Sequence, residues 1–528
     1  MKAFLIGIFL ITATYPFLTQ GSPNPPISDL SLEQKVGQLM MVGIDGTGPT
    51  EGLSDLIQKM HIGGVVLYPR NIENPEQVLL LTRSIQALNR SVLPILIATD
   101  EEGGKVIRFY RDSTSMPGQM AVGATGSPQL AFEVGRLTGM KLRGLGINMN
   151  LAPVLDLVVK PEGRVVGIRS FGESPSIVAS FGSAYIRGVQ SAGVSATAKH
   201  FPGHGRTEVD SHKSLPQISS SLESDLIPFE KAIEEGVDVM MTAHVAYPKL
   251  DRSKAPATIS PIIISALLRK KLGFKGVVIT DDLEMGAIEQ QYEIGEAAVQ
   301  AILAGCDIVL LSRSSTKKKR VYEALLKAVR TGRISPRRLE ESLARIHSLK
   351  TKVSNEVALG EGIDTADLQN QVVTSIAQHS VTLVKNDKYL LPLQLAKKRT
   401  LVISPLYEFY RELRRRSPSL FYLELPLRPT IEDNKQMVKY FRSIENKVDQ
   451  IIIGIINRHH ADLVSLLQQM TNKPIVVVSF DSPHYIKQFP QIQAFLCVYH
   501  YRTGTAAAAA RTIVGETPPQ GVLPVSLR

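Results

Sequence analysis

The chain has 528 residues, too many for one ordinary domain, with 44% hydrophobic and 21% charged residues. That balance excludes a disordered, fibrous or low-complexity protein. The formal net charge of +11 admits nucleic acid, an anionic membrane or an acidic polymer as partner. The basic residues form no clustered motif, however, and the short runs 317–320 and 414–416 read as solvated helix faces, so no nucleic-acid partner is expected. Cys306 and Cys497 lie far apart inside apolar runs, which is the pattern of core thiols and not of a disulfide framework or a cysteine metal site.

In chain order, Lys2 precedes an apolar run over residues 3–13, followed by Tyr15-Pro16 and the small residues Gly21 and Ser22. This is the layout of a secretory leader cleaved after Gly21. An uncleaved anchor is the alternative, although the run is short for a membrane span. The expectation is export to the periplasm or beyond, as a monomer with no stable membrane insertion after cleavage. Ser31-Leu32-Glu33-Gln34 then reads as a capping box opening a helix.

Eight short apolar, β-branched runs follow, at 39–44, 64–67, 95–98, 149–152, 195–198, 239–242, 277–280 and 308–311, with helical spacing between them. Continuous apolarity predicts parallel strands covered on both faces. Eight such βα units in this length predict a TIM (β/α)8 barrel; an open doubly wound sheet is the alternative. Polar residues end the runs, at Asp100, Asp156, Lys199-His200, His244 and Asp281-Asp282. In a barrel they ring the carboxyl-end face, where active sites form. Ser335-Pro336 opens a further helix through Leu339, Leu343 and Ile346. A second α/β pattern, with strands at 381–384, 401–404, 451–455, 475–479 and 495–499, predicts a smaller three-layer αβα domain. The Ala506–510 run reads as a tightly packed helix face. The domain bounds are therefore 1–21 leader, 28–352 barrel, 353–370 linker and 371–528 αβα sandwich.

The chemistry concentrates in Lys199-His200-Phe201-Pro202-Gly203-His204-Gly205 and the segment that follows. His200 and His204 have the spacing of two zinc ligands on a helix, but Pro202 and Gly203 between them deny that helix. Asp210 and His212, two apart, place a carboxylate where it can orient an imidazole and tune its proton affinity. On spacing alone a surface loop pair is the favoured reading; position right after a barrel strand carrying Lys-His reverses that in favour of the functional one. At Thr280-Asp281-Asp282, a carboxylate ending a buried strand is costly unless bonded or working. One Asp can attack an anomeric carbon while the other caps the next turn. Asp100-Glu101-Glu102-Gly103-Gly104 leads to Arg108, with Asp100 and Arg108 candidates to grip ligand hydroxyls. No phosphate-loop pattern is present.

These strings, with Asn150-Leu-Ala-Pro-Val-Leu-Asp156, Arg169-Ser-Phe-Gly and the closing Gly521-Val-Leu-Pro-Val-Ser-Leu527, resemble glycoside hydrolase family 3, specifically its NagZ-type β-N-acetylglucosaminidases. The resemblance implies a TIM barrel followed by an αβα sandwich, no cofactor and no metal. It implies retaining hydrolysis with Asp281 as nucleophile and His212, assisted by Asp210, as general acid/base. Sugar contacts fall on Asp100, Arg108, Arg169, Lys199 and His200. With no Trp in the chain, stacking falls to Tyr, Phe or Met, with Met285 and Phe201 as candidates. The implied substrate is terminal GlcNAc on peptidoglycan fragments or chitooligosaccharides, in cell-wall turnover. Rivals are a β-glucosidase or β-xylosidase, a phosphorylase, and an inactive sugar-binding envelope protein. Three positions depart from the family pattern: Lys105, Gly167 and Arg206.

Overall fold

The computed structural model describes residues 29–89, 94–109, 115–159, 165–207, 209–355, 366–502 and 504–527. The expected leader, 1–21, lies outside them. So does the middle of the expected 353–370 linker, whose flanks belong to the helices Pro336–Asn355 and Ala366–His379.

Eight parallel strands close a barrel: β1 (Met40–Gly43), β2 (Gly64–Leu67), β3 (Leu96–Thr99), β4 (Met149–Asn150), β5 (Ser195–Phe201), β6 (Val239–Thr242), β7 (Val277–Asp282) and β8 (Ile308–Leu311). Met40 pairs with Val309, so β1 meets β8 and the open-sheet alternative falls. The strand residues are buried because helices cover the outer face while packed side chains fill the interior. β4 stops early, where Pro153 removes a backbone donor. β5 and β7 run further than their apolar patterns predict, each with a register shift near its end, between Ala198 and Phe201 and between Ile279 and Asp282. Lys199, His200, Asp281 and Asp282 therefore sit on the strand ends themselves, where a bulge re-aims side chains without ending the pairing.

The second domain is a six-stranded sheet of order β11-β10-β12-β13-β14-β9. Its strands are β9 (Thr382–Asn386), β10 (Thr400–Ser404), β11 (Leu420–Glu424), β12 (Gln450–Ile455), β13 (Ile475–Ser479) and β14 (Ala494–Cys497), with only β9 antiparallel. The edge strand β11 has no counterpart in the sequence reading. Alternate residues of each strand serve different cores. Leu401, Ile403, Ile451 and Ile453 share one continuous apolar cluster with the barrel, whereas Val402 and Ile452 belong to a cluster on the other face. Cys306 and Cys497 are free and buried.

One expectation about charge is corrected. Lys318, within the run read as a solvated face, is buried, and its ammonium donates to the carbonyls of Gly43 (2.7 Å) and Arg313 (3.1 Å), fastening the ends of β1 and β8. A second buried lysine, Lys350, donates to Gln38 Oε1 at 2.7 Å. Burial with this one neutral partner pulls its ammonium from the ordinary value of 10.5 down to about 7. The unfolded chain therefore binds more protons than the folded one above that value. Stability rises as pH climbs from about 7 towards about 10, and the cost is fully present below about 7. Lys350→Met should lose this rise. The gap in thermal midpoint between variant and wild type should shift by the equivalent of about 1–3 kcal/mol between about pH 6.5 and about pH 9.5. An unchanged gap across that range would show that Lys350 stays charged in the fold.

Candidate active site

A cavity of about 540 Å³ opens at the carboxyl ends of the barrel strands. Asp100, Arg108, Arg169, Lys199, His200, His212, Asp281 and Met285 all line it, and Asp210 stands behind His212. Its size suits one or two sugar rings.

One wall is an ionic network. Lys199 is 2% exposed, and its ammonium lies 2.9 Å from Asp100 Oδ1 and 2.7 Å from Glu102 Oε1. Arg108 Nη2 donates to Asp100 Oδ2 at 2.9 Å. Arg169 grips Glu102 with Nε and Nη2, at 2.8 and 2.7 Å. Burial alone raises the pKa of both carboxyls. Lys199 and Arg108 overcome this at Asp100, holding it below its ordinary value, and Arg169 and Lys199 hold Glu102 at about 2. The same two carboxylates outweigh burial at Lys199 and keep it charged. Glu102 went unassigned in the sequence reading; its signal was a second carboxylate beside the glycine pair, which alone names no partner.

The next wall is made of histidines. His200 Nδ1 lies 2.7 Å from buried Asp156 Oδ2, and Asp156 Oδ1 accepts the backbone N–H of His204 at 2.6 Å. That leaves His200 Nε2 as the ring nitrogen for the cavity. Asp156 too was unassigned. His204 is spoken for at both nitrogens, by Thr207 Oγ1 and Ser211 Oγ, each at 2.9 Å. Burial and then the charge of His200 bring its pKa down to about 4, so it stays neutral and acts as a tether. His200 and His204 stand on a strand and a following loop, not on a helix. Among the described residues no group of three or more His, Cys, Asp or Glu is arranged to hold a metal ion.

Phe201 is a correction. It is buried against Phe229 of the helix Glu223–Glu234 that covers the barrel, beyond the bulge in β5, and it does not line the cavity. The aromatic residue that does is Tyr68, beside Met285.

The two adjacent aspartates at the end of β7 have different fates. Asp282 accepts from the backbone N–H of Glu284 (3.0 Å) and Ser312 (3.2 Å) and from the Ser312 hydroxyl, so it fastens the turn. Burial pushes it up to about 6. Among the described residues Asp281 accepts only its neighbour's N–H, at 2.8 Å. Burial raises it too, but His244, His200 and Lys199 outweigh that and hold it below the ordinary carboxylate value, ionised. It is a carboxylate with free lone pairs and a positive surround, as a nucleophile requires.

His212 and Asp210 form their pair, Nδ1 to Oδ1 at 2.8 Å, with side chains 61% and 39% exposed. The His212 backbone N–H donates to the same oxygen at 2.9 Å. Burial raises the Asp210 carboxyl, but these two bonds and the neighbouring imidazole together outweigh it and hold Asp210 below its ordinary value. The loop docks on the turn after β7: Ala287 N–H donates to Ser211 O (3.0 Å) and Gly286 N–H to His212 O (3.2 Å). A side chain at Gly286 would stand 2.7 Å from His212 O, so glycine is what permits the approach. Of the three departures from the family pattern, Arg206 pairs with buried Asp225 at 2.7 Å and so anchors this loop's base. Gly167 supplies a φ of +44° in the turn leading to Arg169. Lys105 reaches the second domain.

Residues 31–349 match the glycosyl hydrolase family 3 N-terminal domain. The chain belongs to that family. A β-hexosaminidase A of Pseudoalteromonas piscicida is 37% identical over 369 residues, 64% of this chain and 62% of that protein. The chain thus spans under two thirds of that relative. A β-hexosaminidase of Nitrosomonas eutropha is 36% identical over 59% of this chain and 92% of its own length. Among solved structures, a family 3 β-N-acetylglucosaminidase from Paenibacillus sp. str. FPU-7 superposes with a TM-score of 0.88 at 35% identity, over 94% of this chain and 99% of that one. That match extends through the second domain, so the two-domain fold of this chain is a family fold.

The His204–Ser211 bond generates a test. Ser211→Ala should loosen the loop while barely changing the melting midpoint, by under about 1 kcal/mol. Trypsin should then cut after exposed Lys213 several-fold faster. Cutting at the wild-type rate would show that the hydroxyl does not hold the loop.

Proposed function

We propose that the chain is a retaining, exo-acting β-N-acetylglucosaminidase that removes terminal GlcNAc from peptidoglycan fragments. The observation that carries this is one cavity holding an ionised, underbonded Asp281 and a solvent-exposed His212–Asp210 pair, closed on one side by the buried ionic network. The names of the relatives supply the hexosaminidase class. The acid loop Asp210–His212 favours this reading over the β-glucosidase and β-xylosidase rivals.

The residues divide the work. The network wall binds the terminal pyranose through hydroxyls, and a wall of fixed charges rejects mismatched sugars because they leave buried groups unpaired. Asp281 Oδ attacks C1 as His212 Nε2–H protonates the departing oxygen, giving a glycosyl ester and the free aglycone. Water then attacks C1, His212 Nε2 takes its proton, and GlcNAc leaves as Asp281 regains its charge. Asp210 holds the Nδ1–H tautomer through both steps. The apolar run at 3–13 supports export of the chain, as a monomer, to where cell-wall fragments lie.

Three outcomes check this reading. Asp281→Ala should lose at least about 10³-fold in kcat, and a 5-fluoro GlcNAc label should map to Asp281; a label on Asp282 would overturn the assignment. His212→Ala should cut turnover of a GlcNAc–MurNAc disaccharide by about 10²–10⁴-fold, but of a 4-nitrophenyl glycoside far less, because a good leaving group needs little acid. Equal losses would leave His212 a binding residue only. Digestion of a GlcNAc–MurNAc oligomer, followed by mass over time, should release single GlcNAc from the end. Early internal fragments would mean an endo-acting cleft.

A further inference from the structure

The turn that carries the network does not hold itself in place. Glu102 and Arg108 bracket Gly103-Gly104-Lys105-Val106, in which both glycines have left-handed φ, +88° and +59°. Backbone bonds close the turn, Glu102 N–H to Val106 O at 3.0 Å and Val106 N–H to Gly103 O at 3.2 Å. A Cβ on Gly103 would meet Pro117 O at 2.4 Å, so the turn lies flat against the segment that leads to helix Gln119–Ala124. Lys105 points the other way. Its ammonium lies 2.7 Å from Asp481 Oδ1, just past the end of β13 in the second domain.

Asp481 shows what that contact is for. Its side chain is 4% exposed. Tyr485 OH donates to its other oxygen at 2.9 Å. Among the described residues no cation of its own domain pairs with it; the neutralising charge comes from the barrel turn. A buried carboxylate without a counter-charge is strongly unfavourable, so the second domain is electrostatically incomplete until the turn is seated.

A second brace reaches the other half of the pair. The C-terminal tail is tied to its own domain by Gly521 N–H to Val381 O, 2.9 Å. It then crosses onto the barrel, where Val522 N–H donates to Ala124 O (2.8 Å) and Glu173 N–H to Pro524 O (3.0 Å). Glu173 lies four residues after Arg169, and helix Gln119–Ala124 backs the same loop, with a Cβ on Gly123 only 2.1 Å from Phe171 O. The second domain thus presses on both loops whose side chains meet in the Glu102–Arg169 grip.

We infer that the αβα domain is a positioning element of the sugar pocket: Asp481, through Lys105, sets Glu102 against Arg169 and Lys199. This rests on the proposed function, in which that wall binds the terminal sugar. Asp481 and Lys105 touch neither Asp281 nor His212, so their effect falls on binding.

The test uses the full chain and 4-nitrophenyl β-GlcNAc. Lys105→Met, at a half-exposed position, should raise KM about five-fold or more with kcat within about two-fold, and Lys105→Arg should restore KM. Lys105→Met should also lower the melting midpoint, since it strands a buried carboxylate. The double variant Lys105→Met/Asp481→Asn removes that stranded charge. It should melt nearer the wild type yet keep the raised KM, a separation that a purely structural pair would not produce. Wild-type turnover tests the reading underneath; the ratio of variant to wild type tests the inference. A wild-type KM in both Met variants would overturn it, and so would a KM that recovers together with the melting midpoint in the double variant.

Discussion

The ionic wall of the cavity depends on one buried ammonium. Lys199 sits between Asp100 and Glu102, and each of those carboxylates holds an arginine in turn. Taking Lys199 away removes one of the two cations from each carboxylate, and breaking a buried pair costs more than the intact pair contributes. The network therefore behaves as a unit, and it fixes the loop after β3 and the loop carrying Arg169 relative to β5. Among the described residues the network brings three cations against two carboxylates, an excess of one positive charge. That charge reaches Asp281, where Lys199 is one of the groups that keep the carboxylate ionised despite burial. Binding wall and nucleophile are thus coupled electrostatically without touching.

The frame of this arrangement was legible in the sequence. Apolar runs without alternation announce strands covered on both faces, and polar residues at their ends announce the carboxyl face of a barrel. What pattern could not supply was partners. Lys199 meets Asp100 across 99 positions, and Lys318 meets Gly43 across 275. A lysine that closes a barrel on two carbonyls looks, in sequence, like any lysine of a charged helix. Phe201 misled for a different reason. Alternation along β5 would aim it at the ligand, and the bulge beside it reverses that face. β11 was hidden because an edge strand is half exposed, so its burial pattern is too weak to read.

Asp281 and Asp282 show how far neighbours in sequence can differ in chemistry. Both sit at the end of the same strand, beyond its register shift, and both line the cavity, but their surroundings differ. Around Asp282 there are the hydroxyl and two N–H groups of Ser312 and Glu284, and the carboxylate there is consumed in holding the turn. Around Asp281 there is charge and, among the described residues, a single hydrogen bond, from the N–H of Asp282. The strand end thus yields one anchor and one reactive group, and the anchor is what keeps the reactive one from drifting.

The acid loop follows the opposite design. The ionic wall is buried, but His212 is mostly exposed, and in the proposed role of an acid that later activates water it gains from standing where water can enter. Exposure carries a cost in precision, because an exposed side chain has few contacts to fix it. The chain meets that cost through its backbone: Ser211 and His212 accept from the turn immediately after Asp281, and Gly286 provides the clearance. The proposed acid and the proposed nucleophile are in this way referred to a single turn, even though they come from different strands. The anchor is itself secured below by Asp282 and laterally by the His204–Ser211 bond. Movement of the loop away from that turn would separate acid from nucleophile at once, whereas movement of the side chain alone is limited by the bond from Nδ1 to Asp210.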